Sequence, residues 1–270
     1  MKKIFLTVLI LLTTFLTACG SSGDKNSDDP TSVKFRKILV IGIDDEYAPL
    51  GFRDKNNQIV GFDVDLAKEA GSRLGVTFEF KPIKWSNKRQ ELESGNIDII
   101  WNGLDITDDR KEYILYSKPY MDNRQIVLVK RYSGLVIRSE GDLAGKIVGT
   151  QAGSTSEAYI EEDAALKESF AEFKTYVNYT EALDALENEE VDLLIADELL
   201  SRYTVNQNHE KFAVIDVTIG PVTKMAIGFR KHDVELHDKV QNVFGEMVKD
   251  GTAQKISEHW FHADLIRFKK

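Results

Sequence analysis

From Lys37 onward, apolar and polar positions switch repeatedly between two periods. Ile38 to Ile43 is an unbroken, β-branched apolar run of the kind buried in a parallel sheet. Val64, Leu66, Ala67, Ala70 and Leu74 then fall at helical spacing, predicting a helix over 63–74 that Gly75 stops. Val76-Thr-Phe-Glu-Phe80 predicts a second strand, residues 87–94 a short helix ended by Gly95, and Ile97-Asp-Ile-Ile-Trp101 a third strand. This strand–helix alternation implies a parallel sheet covered by helices. Between the first strand and its helix, residues 52–62 predict an inserted hairpin turning at Asp54 to Asn57. Its Asp and Asn spacing suggests a calcium loop, but the closing acid is missing, so it is read as a turn.

The same grammar recurs downstream. Strands are expected at 147–150, 172–176 and 191–195, and helices at 155–167 and 180–187. Phe78-Glu-Phe-Lys81 followed by Leu92-Glu-Ser-Gly-Asn-Ile-Asp-Ile-Ile100 parallels Ala171-Glu-Phe-Lys174 followed by Leu186-Glu-Asn-Glu-Glu-Val-Asp-Leu-Leu194. Two similar α/β lobes follow, each a mostly parallel sheet covered by helices. Met225-Ala-Ile-Gly-Phe229 is a further strand and residues 235–249 an amphipathic helix, both returning to the first lobe. The expected division is 35–122 with 225–270 as lobe 1 and 123–224 as lobe 2, joined by a two-strand hinge near 120–125 and 221–225. A cleft between such lobes, beyond the carboxyl ends of the strands, is a natural small-molecule site.

Ahead of this pattern, Met1-Lys2-Lys3, an apolar stretch from Ile4 to Leu16 and the small residues before Cys19 read as an export signal over 1–18. The stretch is shorter than the roughly 20 residues that span a bilayer. Leu16-Thr-Ala-Cys19 resembles the bacterial lipoprotein box, which implies acylation of Cys19 and a membrane anchor; a plain secretory signal with an incidental cysteine is the alternative. Residues 19–34 carry Gly, Ser, Asp and Pro with nothing to pack and read as a flexible tether. The chain has 35 Lys plus Arg against 44 Asp plus Glu; without Lys2 and Lys3 the balance is 33 against 44, or −11. That excess argues against a nucleic-acid partner. The lone Cys19 excludes an internal disulfide. Nucleotide loops, a Gly-x-Ser-x-Gly elbow and a His-Glu-x-x-His zinc helix are absent, which disfavours those enzyme classes and leaves no cofactor to expect. His259 and His262 lack a carboxylate or thiol partner, and no metal is expected there.

The informative stretch is Asp98-Ile-Ile-Trp-Asn-Gly-Leu-Asp-Ile-Thr-Asp-Asp-Arg-Lys111 with Tyr116-Ser-Lys-Pro-Tyr120. A buried strand ends at Trp101, and Arg110, a planar donor fork suited to a carboxylate, follows in a cleft-facing loop. From spacing alone, Arg110 could equally be a surface residue paired with Asp108 or Asp109. Asn102-Gly-Leu-Asp-Ile-Thr-Asp-Asp-Arg110, together with Gly61-Phe-Asp-Val-Asp-Leu66 and Trp260-Phe261, resembles the amino-acid-binding solute receptors of ABC importers, the family 3 extracellular solute-binding proteins. The resemblance runs from about Ile38 to Phe261 and implies a monomeric receptor that hands a small amino acid to an ABC permease.

It also implies roles. Arg110 clamps the ligand α-carboxylate, and Asn102, Gly103 and Asp105 line the same pocket. Asp105 departs from the family's usual Ser or Thr. Ser154 and Thr155, in Gln151-Ala-Gly-Ser-Thr-Ser156, supply a second carboxylate contact, although either could simply cap a helix. Asp197 receives the α-ammonium, with helix capping as its alternative. Asp44, Tyr47 and Trp85 form the side-chain pocket, where two aromatics would hold ligand carbons or a guanidinium, or would be core residues. Asp44, Asp105 and Asp197 against Arg110 put the empty cleft near −2, favouring a cationic amino acid or cystine over glutamate. An arogenate- or prephenate-type dehydratase and a sensing receptor without transport are the competing functions.

Overall fold

A computed structural model describes residues 36–268. The expected signal 1–18, Cys19 and the tether 19–34 lie outside the described residues. The chain runs through β1 (Ile38–Ile43), β2 (Glu46–Tyr47), β3 (Gly51–Arg53), β4 (Ile59–Val60), α1 (Phe62–Leu74), β5 (Thr77–Pro82), α2 (Lys88–Glu93), β6 (Ile99–Ile100), α3 (Asp108–Lys111) and β7 (Ile114–Tyr116). It continues with β8 (Met121–Lys130), β9 (Ile147–Gln151), α4 (Thr155–Glu162), α5 (Ala164–Ser169), β10 (Glu172–Tyr176), α6 (Tyr179–Glu187), β11 (Leu193–Asp197) and α7 (Glu198–Gln207). Last come β12 (Phe212–Met225), β13 (Gly228–Arg230), α8 (Val234–Lys249) and α9 (Thr252–Phe261).

Two five-stranded sheets form, as the recurring grammar predicts. The first has the order β5-β1-β6-β13-β7 and the second β10-β9-β11-β8-β12. In each, three parallel strands are followed by two antiparallel pairings, so that only β13 in the first sheet and β8 in the second run against the other strands. The first sheet and its helices make one lobe, the second sheet the other. The antiparallel partners of the second sheet, β8 and β12, are also the crossings, and they stay paired down to Met121 opposite Met225. The inserted hairpin is present as the three-stranded sheet β2-β3-β4, and its turn is held by Asp54, which accepts from the backbone of Asn56 and Gln58.

Helix α1 forms where predicted and ends at Gly75, whose φ of 68° is the left-handed conformation that suits glycine. Its buried face, Phe62, Leu66, Ala67 and Ala70, packs on α8 and α9, so the C-terminal helices do return to the first lobe. Four expectations need correction. The helix over 155–167 is two helices, because Asp163 leaves helical geometry and caps α5 by accepting from Leu166 N at 2.9 Å. The strand over 225–229 is broken, since Met225 ends β12 and Ala226 N turns aside to Leu104 O at 2.9 Å. The strand over 97–101 narrows to Ile99–Ile100, and that over 191–195 shifts to Leu193–Asp197. Among the described residues no helix is long and apolar enough to cross a membrane.

Candidate ligand-binding site

The ends of β1, β6, β9 and β11 converge, and their loops line a narrow cavity of about 10 Å³. The first lobe contributes Asp44, Tyr47, Trp85, Asn102, Gly103, Asp105 and Arg110; the second contributes Ser154, Thr155 and Asp197. The structure thus brings together every residue singled out for binding, and adds Gln151. A larger groove of about 440 Å³ beside the hinge shares Thr155 but has none of these converging buried charges.

Arg110 is 3 % exposed, on the short helix α3. Its guanidinium donates to Asp105 O at 3.2 Å and, across the cleft, to Gly153 O at 3.1 Å. The surface alternative fails, because Asp108 pairs with Lys111 and Asp109 accepts from Thr107. Among the described residues Arg110 makes no ion pair, so its remaining N–H groups are a buried donor set without a carboxylate.

The acids are held by neutral donors. Asp105 accepts from Asn123 Nδ2 at 3.0 and 3.1 Å, from Thr155 Oγ1 at 2.7 Å and from Thr223 Oγ1 at 2.8 Å. Asp197 accepts from Gln125 Nε2 at 2.7 Å and from Asn123 Nδ2. Although Asp197 stands at the N-terminus of α7, its side chain makes no capping bond, which removes the cap alternative. Asp44 accepts from Gln151 Nε2 and from Glu46 N at 3.0 Å, while its own N–H donates to Asn102 Oδ1 at 2.8 Å. Burial pushes the Asp44 carboxyl up to about 6, against the hydrogen bonds from Gln151 and Glu46. Burial and then the Asp197 carboxylate push Asp105 up to about 6, with Arg110 pulling the other way. Ser154 does cap α4, accepting from Glu157 N at 3.0 Å, and lines the cavity as well.

Tyr47 and Trp85 are both buried, and each serves a core cluster as well as the cavity wall. Gly103 has φ +61°, and a Cβ there would sit 2.8 Å from Tyr47 Cε1, so only glycine lets this loop close on the ring. Its N–H donates to the buried Asp63 at 2.7 Å.

The lobes are closed. Besides Arg110–Gly153, Thr155–Asp105 and Gln151–Asp44, Lys88 Nζ reaches Gly153 O at 2.7 Å, and the rings of Tyr47 and Tyr179 stand 6.0 Å apart. Gly153 permits this approach: a Cβ there would lie 2.7 Å from Ser86 Cα. Lys88, 5 % exposed, is a cation that sequence reasoning missed, because an α2 lysine reads as surface; burial and then Arg110 pull its ammonium well below the usual range. Counting it lowers the acidic excess around the site from two to one. Gln151 was visible as the first residue of the quoted Gln-Ala-Gly-Ser stretch, whereas Asn123 and Gln125 carried no signal beyond their place in the hinge.

The model of the bacterial extracellular solute-binding proteins, family 3, matches residues 39–263. The chain belongs to that family. Family 3 relatives include the L-cystine-binding protein TcyJ of Escherichia coli K12, 29% identical over 87% of this chain and 86% of that protein. The arginine-binding extracellular protein ArtP of Bacillus subtilis is 31% identical over 97% of this chain and 98% of its own length. Among solved structures, an ABC uptake transporter substrate-binding protein of Streptococcus pneumoniae with bound histidine superposes with a TM-score of 0.81 at 36% identity, covering 86% of this chain and 95% of that one. The two-lobed fold is therefore the family 3 fold.

Proposed function

We propose that this chain is an extracytoplasmic receptor that closes its lobes on an amino acid and delivers it to an ABC permease. The observation that carries this reading is Arg110, a buried guanidinium without a carboxylate partner in a cavity shared with three acids. A zwitterion matches that arrangement: its carboxylate completes Arg110 with help from Ser154 and Thr155, and its ammonium meets Asp197. The side chain then lies between Tyr47 and Trp85 with its far end toward Asp44. The acidic excess favours a second positive charge, so arginine, lysine, histidine, ornithine or cystine are the expected ligands, and glutamate is disfavoured. Relatives named for cystine and arginine, and a solved structure with bound histidine, support this class.

Binding without catalysis is inferred, since the cavity couples acids to neutral donors rather than to an acid–base pair and an acid-lined wall opposes carboxylate-rich prephenate. Lipidation at Cys19, the boundaries 35–122 with 225–270 and 123–224 for the lobes, and a monomeric state complete the proposal. The test is thermal stabilisation of residues 32–270 by each common amino acid, ornithine, cystine and prephenate. Ligand at a thousand times its Kd adds about 4 kcal/mol. A shift with cationic amino acids or cystine supports the receptor, whereas a shift with prephenate alone, followed by product release, overturns it.

A further inference from the structure

The side chain of Asn123, 4 % exposed on β8, lies at an unusual junction. Its single amide nitrogen is within hydrogen-bond distance of three carboxylate oxygens: Asp105 Oδ1 at 3.1 Å, Asp105 Oδ2 at 3.0 Å and Asp197 Oδ1. An amide has two hydrogens for these three acceptors. Asp105 comes from the first lobe and Asp197 from the second, while Asn123 stands on a hinge strand. Its register partner on the other hinge strand, Thr223, donates to Asp105 at 2.8 Å. The two acids are thus drawn to one point from both lobes by the hinge.

We propose that Asn123 is a positioning residue that sets the preference for cationic ligands, by holding Asp105 and Asp197 side by side in the charged form; the inference rests on the receptor reading above. Two like charges meeting in a dry cavity repel, and the cheapest relief is uptake of a proton by one of them. The amide hydrogens, together with Thr155, Thr223 and Gln125, oppose that uptake by donating more strongly to the ionised form. The other ionisable groups facing the pair are Arg110 from α3, Tyr47 from β2, Tyr120 just ahead of β8 and Tyr179 from α6, with Asp44 beyond β1 in the same cavity. Arg110 supplies the only positive charge among them, and it is committed to the ligand carboxylate. Without Asn123 the pair keeps a proton, its charge falls by one, and the extra attraction for a second ligand cation is lost. A neutral amino acid, needing only Asp197 for its ammonium, would notice little.

The experiment measures arginine and glutamine binding by calorimetry for the wild type, Asn123→Leu and Asn123→Ser between about pH 5 and pH 8, a range that brackets the Asp105 carboxyl raised to about 6. Circular dichroism and melting without ligand check the fold of each variant. For Asn123→Leu, arginine affinity at neutral pH is expected to drop about tenfold or more, as loss of hydrogen bonds to a charged group implies. Glutamine affinity should change much less, and the pH midpoint for arginine binding should move upward. Asn123→Ser keeps one donor and should fall between, and it remains informative where the leucine variant does not fold. Equal losses for both ligands with an unmoved midpoint overturn the role of Asn123 alone. A wild type that prefers glutamine to arginine overturns the ligand reading and this inference with it.

Discussion

Two buried arginines in the same lobe have opposite surroundings. Arg230, 8 % exposed at the end of β13, pairs with Asp98 at 2.8 Å and Asp233 at 2.7 Å, and Arg36 completes the cluster from the other side of Asp98. Charges there balance, and the Asp98 carboxylate also accepts from Val40 N at 2.9 Å, tying β1 to the cluster. Arg110 is as buried, yet it touches only carbonyl oxygens, and the nearby carboxylates of Asp105 and Asp197 take their bonds from amides and hydroxyls. A buried charge is costly unless paired. The balanced cluster is therefore part of the folded state by itself, whereas the unbalanced one, on the receptor reading proposed above, is completed by what binds. The contrast separates structural from functional charge where burial alone does not.

The sharpest way to break the contrast is to truncate each arginine. Arg110→Ala is expected to reduce amino-acid affinity at least about 100-fold by calorimetry, the scale of a lost charge-assisted pair, while the unliganded melt stays near the wild type. Arg230→Ala should do the reverse, lowering stability by about 3–5 kcal/mol in denaturant titration because Asp98 and Asp233 lose a buried partner. If Arg110→Ala unfolds the chain, or leaves affinity unchanged, the distinction is wrong.

Gly153→Ala asks whether closure matters as much as charge. Its Cβ would meet the Ser86 backbone, so affinity for cationic and neutral ligands should fall together by about tenfold, while stability without ligand falls by about 1 kcal/mol from the positive φ. Asp105→Thr, by contrast, should weaken cationic ligands several-fold more than neutral ones, about one pKa unit's worth of charge preference; equal loss would discard the charge argument.

Acidification gives a graded effect. Asp44 and Asp105 are raised to about 6 by burial, so between about pH 7 and pH 5 the folded state takes up protons that the unfolded chain does not. Stability of the unliganded protein should then rise as pH falls, by on the order of 1–3 kcal/mol, and affinity for cationic ligands should decline over the same interval. A melting temperature that drops steadily from pH 7 to pH 5 would contradict this sign.

Strand and helix periods alone specify β1, α1, β5 and α8, because burial of one face or both imposes those repeats locally. The chemistry of the site was also legible. Asp44, Asn102, Asp105, Ser154, Thr155 and Asp197 stand just beyond strand ends, where a parallel sheet must place its cleft, and Arg110 follows in a polar loop. Tertiary structure decided what periodicity does not encode. The α4–α5 break depends on one cap at Asp163, and the β12–β13 break on Ala226 turning to Leu104. Lys88 looks like any solvated helix lysine until Gly153 of the other lobe covers it. Asn123 becomes informative only when the hinge draws together two acids that lie 92 residues apart in sequence, each meeting the same amide. Local patterns record which residues are buried; which charges face one another is a property of chain crossings, and it appears only once the lobes close.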